Sequence, residues 1–271
     1  MQRVLSIQSS VTYGFVGNNV ATPVLTSMGI HPLAVNSVML AAHPGYGVFA
    51  GQATPAGHIA AILDGLIALN IVPDIDSVIT GYLGHADQVA VIASLITSWR
   101  DARTAGTYIC DPVLGDADKL YVDQTLAEQM ANQLLPLADI ITPNQFELAY
   151  LSKMPVSGND SAIMAGQHLL ASQAGLTAVI ATGITNDDDF VHDILITRDA
   201  SKSWHYDRRS VGVSGSGDLF TSLLAGGLVQ GLALDAATAR ASNLAQTVIA
   251  QSQNPKELAL LENLDLFAND C

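Results

Sequence analysis

The sequence predicts a doubly wound α/β fold, a mostly parallel central sheet flanked by helices. Three observations predict it. Short runs of β-branched and aliphatic residues recur along the chain, and most are followed by a segment of helical period. Those runs end in Gly, Pro, Ser, Asp or Asn, as strands entering turns do. Of 271 residues, 49% are hydrophobic and 13% charged, which supplies a sizeable core and argues against disorder. No linker, repeat or low-complexity tract interrupts the alternation. Residues 1–271 are therefore expected to form one domain of βαβ units with no separate lid domain.

The first expected strand is 4–7, Val4-Leu5-Ser6-Ile7, ending in Gln8-Ser9-Ser10. Gly14 and Gly17 mark a loop, and a helical pattern follows over about 18–28. Residues 33–40 read as the second strand, which runs into His43-Pro44-Gly45-Tyr46-Gly47, with Gly51 shortly after. Helical spacing returns over about 56–69. A third strand, 77–80, leads to Gly81-Tyr82-Leu83-Gly84 and a helix over about 87–102. The fourth, 107–110, ends in Asp111-Pro112. The fifth, 139–142, ends in Pro143-Asn144 at the start of a helix, and the sixth spans 178–182. Residues 194–196 and 203–206 predict a late antiparallel pair. Long helices over about 217–231 and 235–252 and a short one near 256–262 complete the pattern. The polar stretch 115–121 is expected to be a mobile flap, and the acidic 186–189 a solvated loop.

The formal net charge is −14, from 11 basic and 25 acidic residues. Such a surface repels nucleic acid and anionic membranes, so neither is an expected partner. A nucleotide substrate would need local help from backbone N–H groups and a metal ion. Cys110 and Cys271 are too few for a disulfide framework, and no zinc-type Cys/His spacing occurs. The segment Met1 to Ile7 lacks a signal peptide's apolar run, and no stretch of about 20 apolar residues reads as a membrane span. The expected location is cytoplasmic.

The chemistry centres on Val213-Ser214-Gly215-Ser216-Gly217-Asp218-Leu219-Phe220. Gly215 and Gly217 let the backbone turn tightly and aim successive N–H groups at one spot. With the positive end of the following helix, those groups seat an anion. Asp218 stands beside that seat, where a carboxylate can accept a proton from a substrate hydroxyl. An anion cradle next to a base is what phosphoryl transfer needs, because that chemistry is mostly positioning and charge stabilisation. The plainer alternative is a glycine-rich turn with Asp as an ordinary first-turn residue.

In an open parallel sheet, ligands bind beyond the carboxyl ends of the strands. The exits here carry Ser9, His43, Tyr82, Asp111, Asn144, Glu147 and Thr182. Each has a plain structural reading: a turn cap, a loop residue, surface packing, a strand end or a helix cap. Together they are a stronger signal than any one alone. Glu147 lies three residues after Asn144, so both either cap one helix or face a metal-bound phosphate from it. Mg²⁺ takes one or two protein carboxylates and fills the rest with water and phosphate oxygens, which suits Asp111, Asp116 and Glu147. A Walker-type Gly-x-x-x-x-Gly-Lys and a Rossmann Gly-x-Gly-x-x-Gly after the first strand are both absent, which weakens an NAD-dependent alternative.

These residues carry a resemblance. Ser6-Ile7-Gln8-Ser9 with Tyr13-Gly14 and Gly17-Asn18, His43 through Gly47 with Gly51, and Thr80 through Gly84 are its first blocks. Cys110 through Asp116, Ile140 through Glu147 and Ser214 through Phe220 are the others. In this order and spacing, over nearly the whole chain, the sequence resembles the pyridoxal kinases of the ribokinase superfamily. The Asn-x-x-Glu and Gly-x-Gly-Asp blocks alone indicate the superfamily, and the first three blocks indicate the pyridoxal branch.

The resemblance implies a ribokinase-like fold and ATP-dependent phosphorylation of the 5′-hydroxymethyl group of pyridoxal, pyridoxine or pyridoxamine. It implies Asp218 as general base and Gly215, Ser216 and Gly217 as the anion hole. Ser9 and Tyr82 would contact the pyridine ring, with His43 close to it. Asp111, Asn144 and Glu147 would serve the nucleotide phosphates and Mg²⁺, with Thr182 near the ATP. A homodimer and a stimulating monovalent cation such as K⁺ are also implied.

The chain departs from the family's usual pattern at Ser216, commonly Thr; at Pro44, usually Thr; and at Ser10, usually His. The first keeps a hydroxyl. The other two bear on vitamer preference rather than on phosphoryl transfer. The rival readings are a related hydroxymethylpyrimidine or sugar kinase and a non-catalytic vitamer-binding protein.

Overall fold

The computed structural model describes residues 1–48, 50–103, 105–116, 119–186, 189–208 and 212–268. Ala117 and Asp118 of the expected flap, Asp187 and Asp188 of the acidic loop, and Cys271 lie outside the described residues. In chain order the first half runs β1 (Arg3–Tyr13), α1 (Asn18–Ser27), β2 (His31–Ala42), β3 (Gly51–Ala53), α2 (Ala56–Ala68), β4 (Ser77–Thr80), α3 (Asp87–Ala102) and β5 (Thr107–Cys110). It continues with β6 (Gly115–Asp116), β7 (Lys119–Leu120), α4 (Gln124–Gln129), β8 (Ile140–Ile141), α5 (Gln145–Ser152) and α6 (Asn159–Ser172). β9 (Ala178–Thr185), β10 (Phe190–Ile196), β11 (Ser201–Asp207), α7 (Ser216–Val229) and α8 (Leu234–Gln251) follow.

Among the described residues the main sheet has nine strands in the order β11-β10-β9-β8-β5-β4-β1-β2-β3. The ladders from β9 to β2 are parallel, whereas β3, β10 and β11 add antiparallel edges. Strand order reverses at β1, which has β4 on one side and β2 on the other, the kind of switch point where open sheets bind ligands. One face is covered by a core that includes Ile59, Leu63, Ile92, Trp99, Leu148 and Leu169. The other is covered by Val20, Leu25, Leu219, Leu223, Ala241 and Val248, so helices lie on both faces as expected. Trp99 is fully buried, and its indole N–H donates to the Ile75 carbonyl at 3.0 Å, so the ring loses no hydrogen bond on burial. None of the described helices is long and apolar enough to cross a membrane.

Several boundaries differ from the sequence reading. β1 does not stop at Ile7 but pairs with β2 as far as Tyr13 opposite Ala42. A register shift between Gln8 and Ser10 keeps the polar Gln8-Ser9-Ser10 inside the ladder. The short edge strand β3 and the β6–β7 pair, Gly115↔Leu120 and Asp116↔Lys119, are too brief to carry a period-two signal. α4 passes into a π-type turn at Met130–Leu134 and a 3-10 turn at Leu135–Leu137, and this changing pitch blurs the apolar spacing. The helix expected near 256–262 does not form. Asn254 and Glu257 close a bridge around Pro255-Lys256, and a 3-10 helix begins later, at Leu261–Leu266.

The late antiparallel pair is present and longer than its sequence signal, with Ile194 opposite Ser203 and Asp193 opposite Trp204. α7 lies close against the α1–β2 connection because Gly226 has no side chain. A Cβ there would sit 2.5 Å from the Met28 sulfur.

Candidate active site

α1 is fixed by a buried polar cluster. The Ser6 hydroxyl donates to Asn18 Oδ1 at 2.6 Å, and Gln8 Nε2 donates to the Ser6 hydroxyl at 2.9 Å. Asn18 Nδ2 donates to Asn36 Oδ1 at 2.8 Å and to the Val35 carbonyl at 3.0 Å. These bonds tie the first residue of α1 to β1 and β2, and so set Gly17 immediately before it. Gly17 has φ +54°, and a Cβ on it would lie 2.2 Å from the Ser9 carbonyl and 2.3 Å from its hydroxyl. Only glycine fits there. The Gly17 amide faces the Asp218 carboxylate and favours its charge, so Ser9, Gly17 and Asp218 are neighbours.

α7 begins behind Gly215, whose φ of +88° is left-handed. A Cβ on Gly215 would lie 2.1 Å from the Phe15 carbonyl, so the loop before α1 presses directly on the loop before α7. No side chain caps the first turn of α7, and Gly217 is exposed. The Ser216 amide donates to the Val213 carbonyl at 3.2 Å, which leaves the Gly217 and Asp218 amides of that turn for an anion.

Asp111 follows β5 and is 4% exposed. The Thr221 hydroxyl donates to Asp111 Oδ2 at 3.2 Å and lies 3.1 Å from the Thr142 hydroxyl. Burial pushes the Asp111 carboxyl up to about 8, the nearby Asp218 charge adds to this, and both threonine hydroxyls oppose it. Asp218 is pushed up to about 6 by burial, against the Gly17 N–H that favours its charge.

Glu147 is 3% exposed and sits in the first turn of α5. Its Oε2 accepts the Asn144 amide at 2.9 Å and its Oε1 the Leu114 amide at 2.9 Å, while Asn144 Oδ1 accepts the Glu147 amide at 2.9 Å. This is a full capping box. Burial, and next the Asp111 charge, hold Glu147 well above the usual carboxylate range despite those backbone donors. Asn144 Nδ2 also donates to the Gly115 carbonyl at 2.8 Å, which joins α5 to the β6–β7 pair.

Asp116 is exposed at the end of β6 and acts on the Tyr121 hydroxyl together with Glu147. Thr182 is half-buried in β9, bridges to Asn144, and donates its amide to the Pro143 carbonyl at 2.9 Å. Tyr82 is half-buried between the main core and the small cluster Val11, Val38 and Leu40. His43 is 9% exposed and has both ring nitrogens engaged by backbone. Nδ1 accepts the Gly45 amide at 3.2 Å, so Nε2 carries the hydrogen that meets the Lys256 carbonyl at 3.1 Å.

Asp111, Asp218 and Glu147 are therefore drawn together, with Ser9 next to Asp218 and with Asn144 and Thr182 beside Glu147. Sequence reasoning missed the Gly17 amide and the Thr142–Thr221 hydroxyl pair. Thr221 was within reach, because it lies three residues past Asp218 and shares its face of α7. Among the described residues no three His, Cys, Asp or Glu gather closely enough to hold a metal ion by themselves. Asp111, raised by burial and the Asp218 charge, and Glu147, raised by burial and the Asp111 charge, are all-oxygen donors suited to a hard divalent cation shared with a phosphate-bearing ligand.

The family model for phosphomethylpyrimidine kinase matches residues 23–260. A pyridoxine/pyridoxal/pyridoxamine kinase of Bordetella avium is 36% identical over 243 residues, 88% of this chain and 81% of that protein. The pyridoxal kinase PdxY of Actinobacillus succinogenes is 33% identical over 97% of this chain and 94% of its own. Among solved structures, pyridoxal kinase from Entamoeba histolytica superposes with a TM-score of 0.93 at 28% identity, covering 98% of this chain and 95% of that one. Pyridoxal kinase from Leishmania donovani in complex with ADP and pyridoxamine gives 0.91 at 30% identity, covering 98% and 96%.

Proposed function

The chain belongs to the pyridoxal kinase family and has its ribokinase-like fold, and from that premise we propose which residues carry its reaction. It phosphorylates B6 vitamers with ATP. Asp218 is the general base, and the observation that carries this role is its setting. Its carboxylate is faced by the Gly17 amide at the mouth of α7 and pushed up to about 6, within reach of neutral pH. It takes the proton of the 5′-hydroxymethyl group as that oxygen bonds to the γ-phosphorus of ATP. The bond from the γ-phosphorus to the β,γ-bridging oxygen breaks, and ADP leaves with that electron pair. The Gly215-Ser216-Gly217 turn and the positive end of α7 stabilise the charge on the transferring group.

Asp111 and Glu147, with Asp116 at the edge, would hold Mg²⁺ together with water and nucleotide phosphates; the ion would neutralise phosphate charge. Asn144 and Thr182 line the nucleotide side, and Ser9 and Tyr82 the pyridine side, with His43 bracing its turn. K⁺ is the proposed monovalent activator. Residues 1–271 act as one kinase domain in the cytoplasm. The proposed assembly is a homodimer. α2 supports it, because Ile59 and Leu63 are buried on that helix while Ile62 and Ile67 are exposed.

The test is ADP production with MgATP and each B6 vitamer in turn, alongside hydroxymethylpyrimidine. Turnover with a vitamer is expected. The family model's description and Pro44 in the turn after His43 favour the pyrimidine as the second reading, and turnover with it alone would move the substrate while keeping the mechanism. Vitamer binding without turnover of any alcohol would overturn the kinase reading.

A further inference from the structure

The segment after α8 touches both halves of the site. The Pro255 carbonyl accepts the Ser214 amide at 3.0 Å, on the loop that opens α7. The Lys256 carbonyl accepts His43 Nε2–H at 3.1 Å and the Tyr46 hydroxyl at 3.3 Å, on the turn that follows β2. Glu257 Oε1 accepts the Tyr46 hydroxyl at 2.8 Å, and the Tyr13 hydroxyl at the end of β1 faces the same carboxylate and favours its charge. The Tyr13 and Tyr46 rings meet edge to face with centroids 5.4 Å apart, and Lys256 Nζ lies 5.3 Å from the Tyr46 ring centroid. Leu258 is buried against the phosphate loop, with Cδ1 3.1 Å from where a Cβ on Gly215 would stand. This short strap contacts the His43–Gly47 turn on one side and Ser214-Gly215 on the other.

We propose that the strap at 254–258 positions the alcohol-binding turn against the phosphate loop, with Glu257 as the positioning residue that fixes it through Tyr13 and Tyr46. The inference rests on the kinase reading. It adds to that reading a residue that touches neither substrate nor nucleotide. Pro44 and Gly45 are exposed, so the turn has few contacts of its own to hold it. The Tyr46 amide bonds within the turn, to the His43 carbonyl at 3.1 Å, whereas its hydroxyl reaches out to the strap. Tyr46 and Ser214 are therefore joined through Pro255-Lys256-Glu257, and loosening either grip lets the turn move relative to the anion hole. Among the described residues no hydrogen bond joins the nucleotide side, Asn144, Glu147 and Thr182, to the strap, so that side is expected to be untouched.

The experiment compares Glu257→Gln, Glu257→Ala, Tyr46→Phe and the Glu257→Ala/Tyr46→Phe double variant with the unmodified protein. It measures KM for the vitamer, KM for ATP, kcat and the melting temperature. Glu257→Ala should raise the vitamer KM by about tenfold, the scale set by losing hydrogen bonds to a charged acceptor. KM for ATP should stay within about twofold. Glu257→Gln, which keeps an acceptor, should fall between, and the double variant should fall short of the sum of the single changes because both break the shorter Tyr46–Glu257 bond. A vitamer KM unchanged in all variants, an equal rise in both KM values, or full additivity would overturn the proposal. Were Glu257→Ala not to fold, Tyr46→Phe and Glu257→Gln would decide it by the same split. Failure of the unmodified protein to turn over any vitamer would instead remove the kinase reading beneath it.

Discussion

The amide of Gly17, just ahead of α1, faces the carboxylate of Asp218, in the first turn of α7, and favours its charge. The proposed base is thus met by a backbone group from the opposite end of the chain. A main-chain donor cannot rotate away, so the carboxylate keeps its aim without a side-chain partner that would need ordering. Gly17 can do this because it lacks a Cβ that would run into Ser9. Gly17→Ala is expected to shift the loop, lower stability by about 1 kcal/mol or more and reduce kcat. Melting curves beside steady-state kinetics check it, and a variant with unchanged kcat would detach Gly17 from the reaction.

Asp218→Asn removes the proton acceptor and keeps the shape. Turnover should drop by about 10²-fold or more, the usual scale for a general base. Nucleotide affinity should hold, because Asn144, Glu147 and Thr182 lie at other strand exits. Calorimetric titration with ATP analogues separates the two effects. Normal turnover would assign the proton to another group.

The pH dependence has two signs. Asp218 must be ionised to act, so kcat should fall as pH drops through about 6. Stability runs the other way. Asp111, raised from 3.8 to about 8, contributes stability that is fully present below the lower value and is lost as pH rises through the upper one. Asp111→Asn removes this loss. The ligand-free variant should melt higher than the unmodified protein at a pH above about 8 and close to it near pH 4, while binding MgATP worse. Parallel melting curves over that range would sink the idea.

Local spacing made much of this legible. Asn144 with Glu147 and Gly215 through Asp218 sit within one helical turn each, so sequence distance reports spatial distance. The parallel strands were legible because each is a buried apolar run between polar exits. The Gly17–Asp218 contact, the Thr142–Thr221 pair and the grip of Glu257 on Tyr46 join residues far apart in sequence. No period encodes such pairs, and the fold alone brings them together. The missing helix at 256–262 shows the same limit. Glu257 and Leu258 have helical neighbours in sequence, yet their side chains are drawn to Tyr46 and to the phosphate loop.

Asn144 serves structure and nucleotide at once, and the two can be separated. Its side chain caps α5 through the Glu147 amide, and its Nδ2 reaches the Gly115 carbonyl. Asn144→Ala should cost about 1 kcal/mol from the lost cap. Asn144→Asp keeps an acceptor for the Glu147 amide and so should keep most of that stability. It loses the donor to Gly115 and adds a third carboxylate near Glu147, which burial and the Asp111 charge already raise. Asn144→Asp should therefore melt near the unmodified protein yet require less Mg²⁺ for half-maximal turnover, because the added charge draws the cation. Asn144→Ala should show the reverse, a lower melting temperature with a smaller change in Mg²⁺ requirement. If both variants lost stability and Mg²⁺ response in proportion, Asn144 would be a cap alone, and the nucleotide side of the site would rest on Glu147, Asp111 and Thr182.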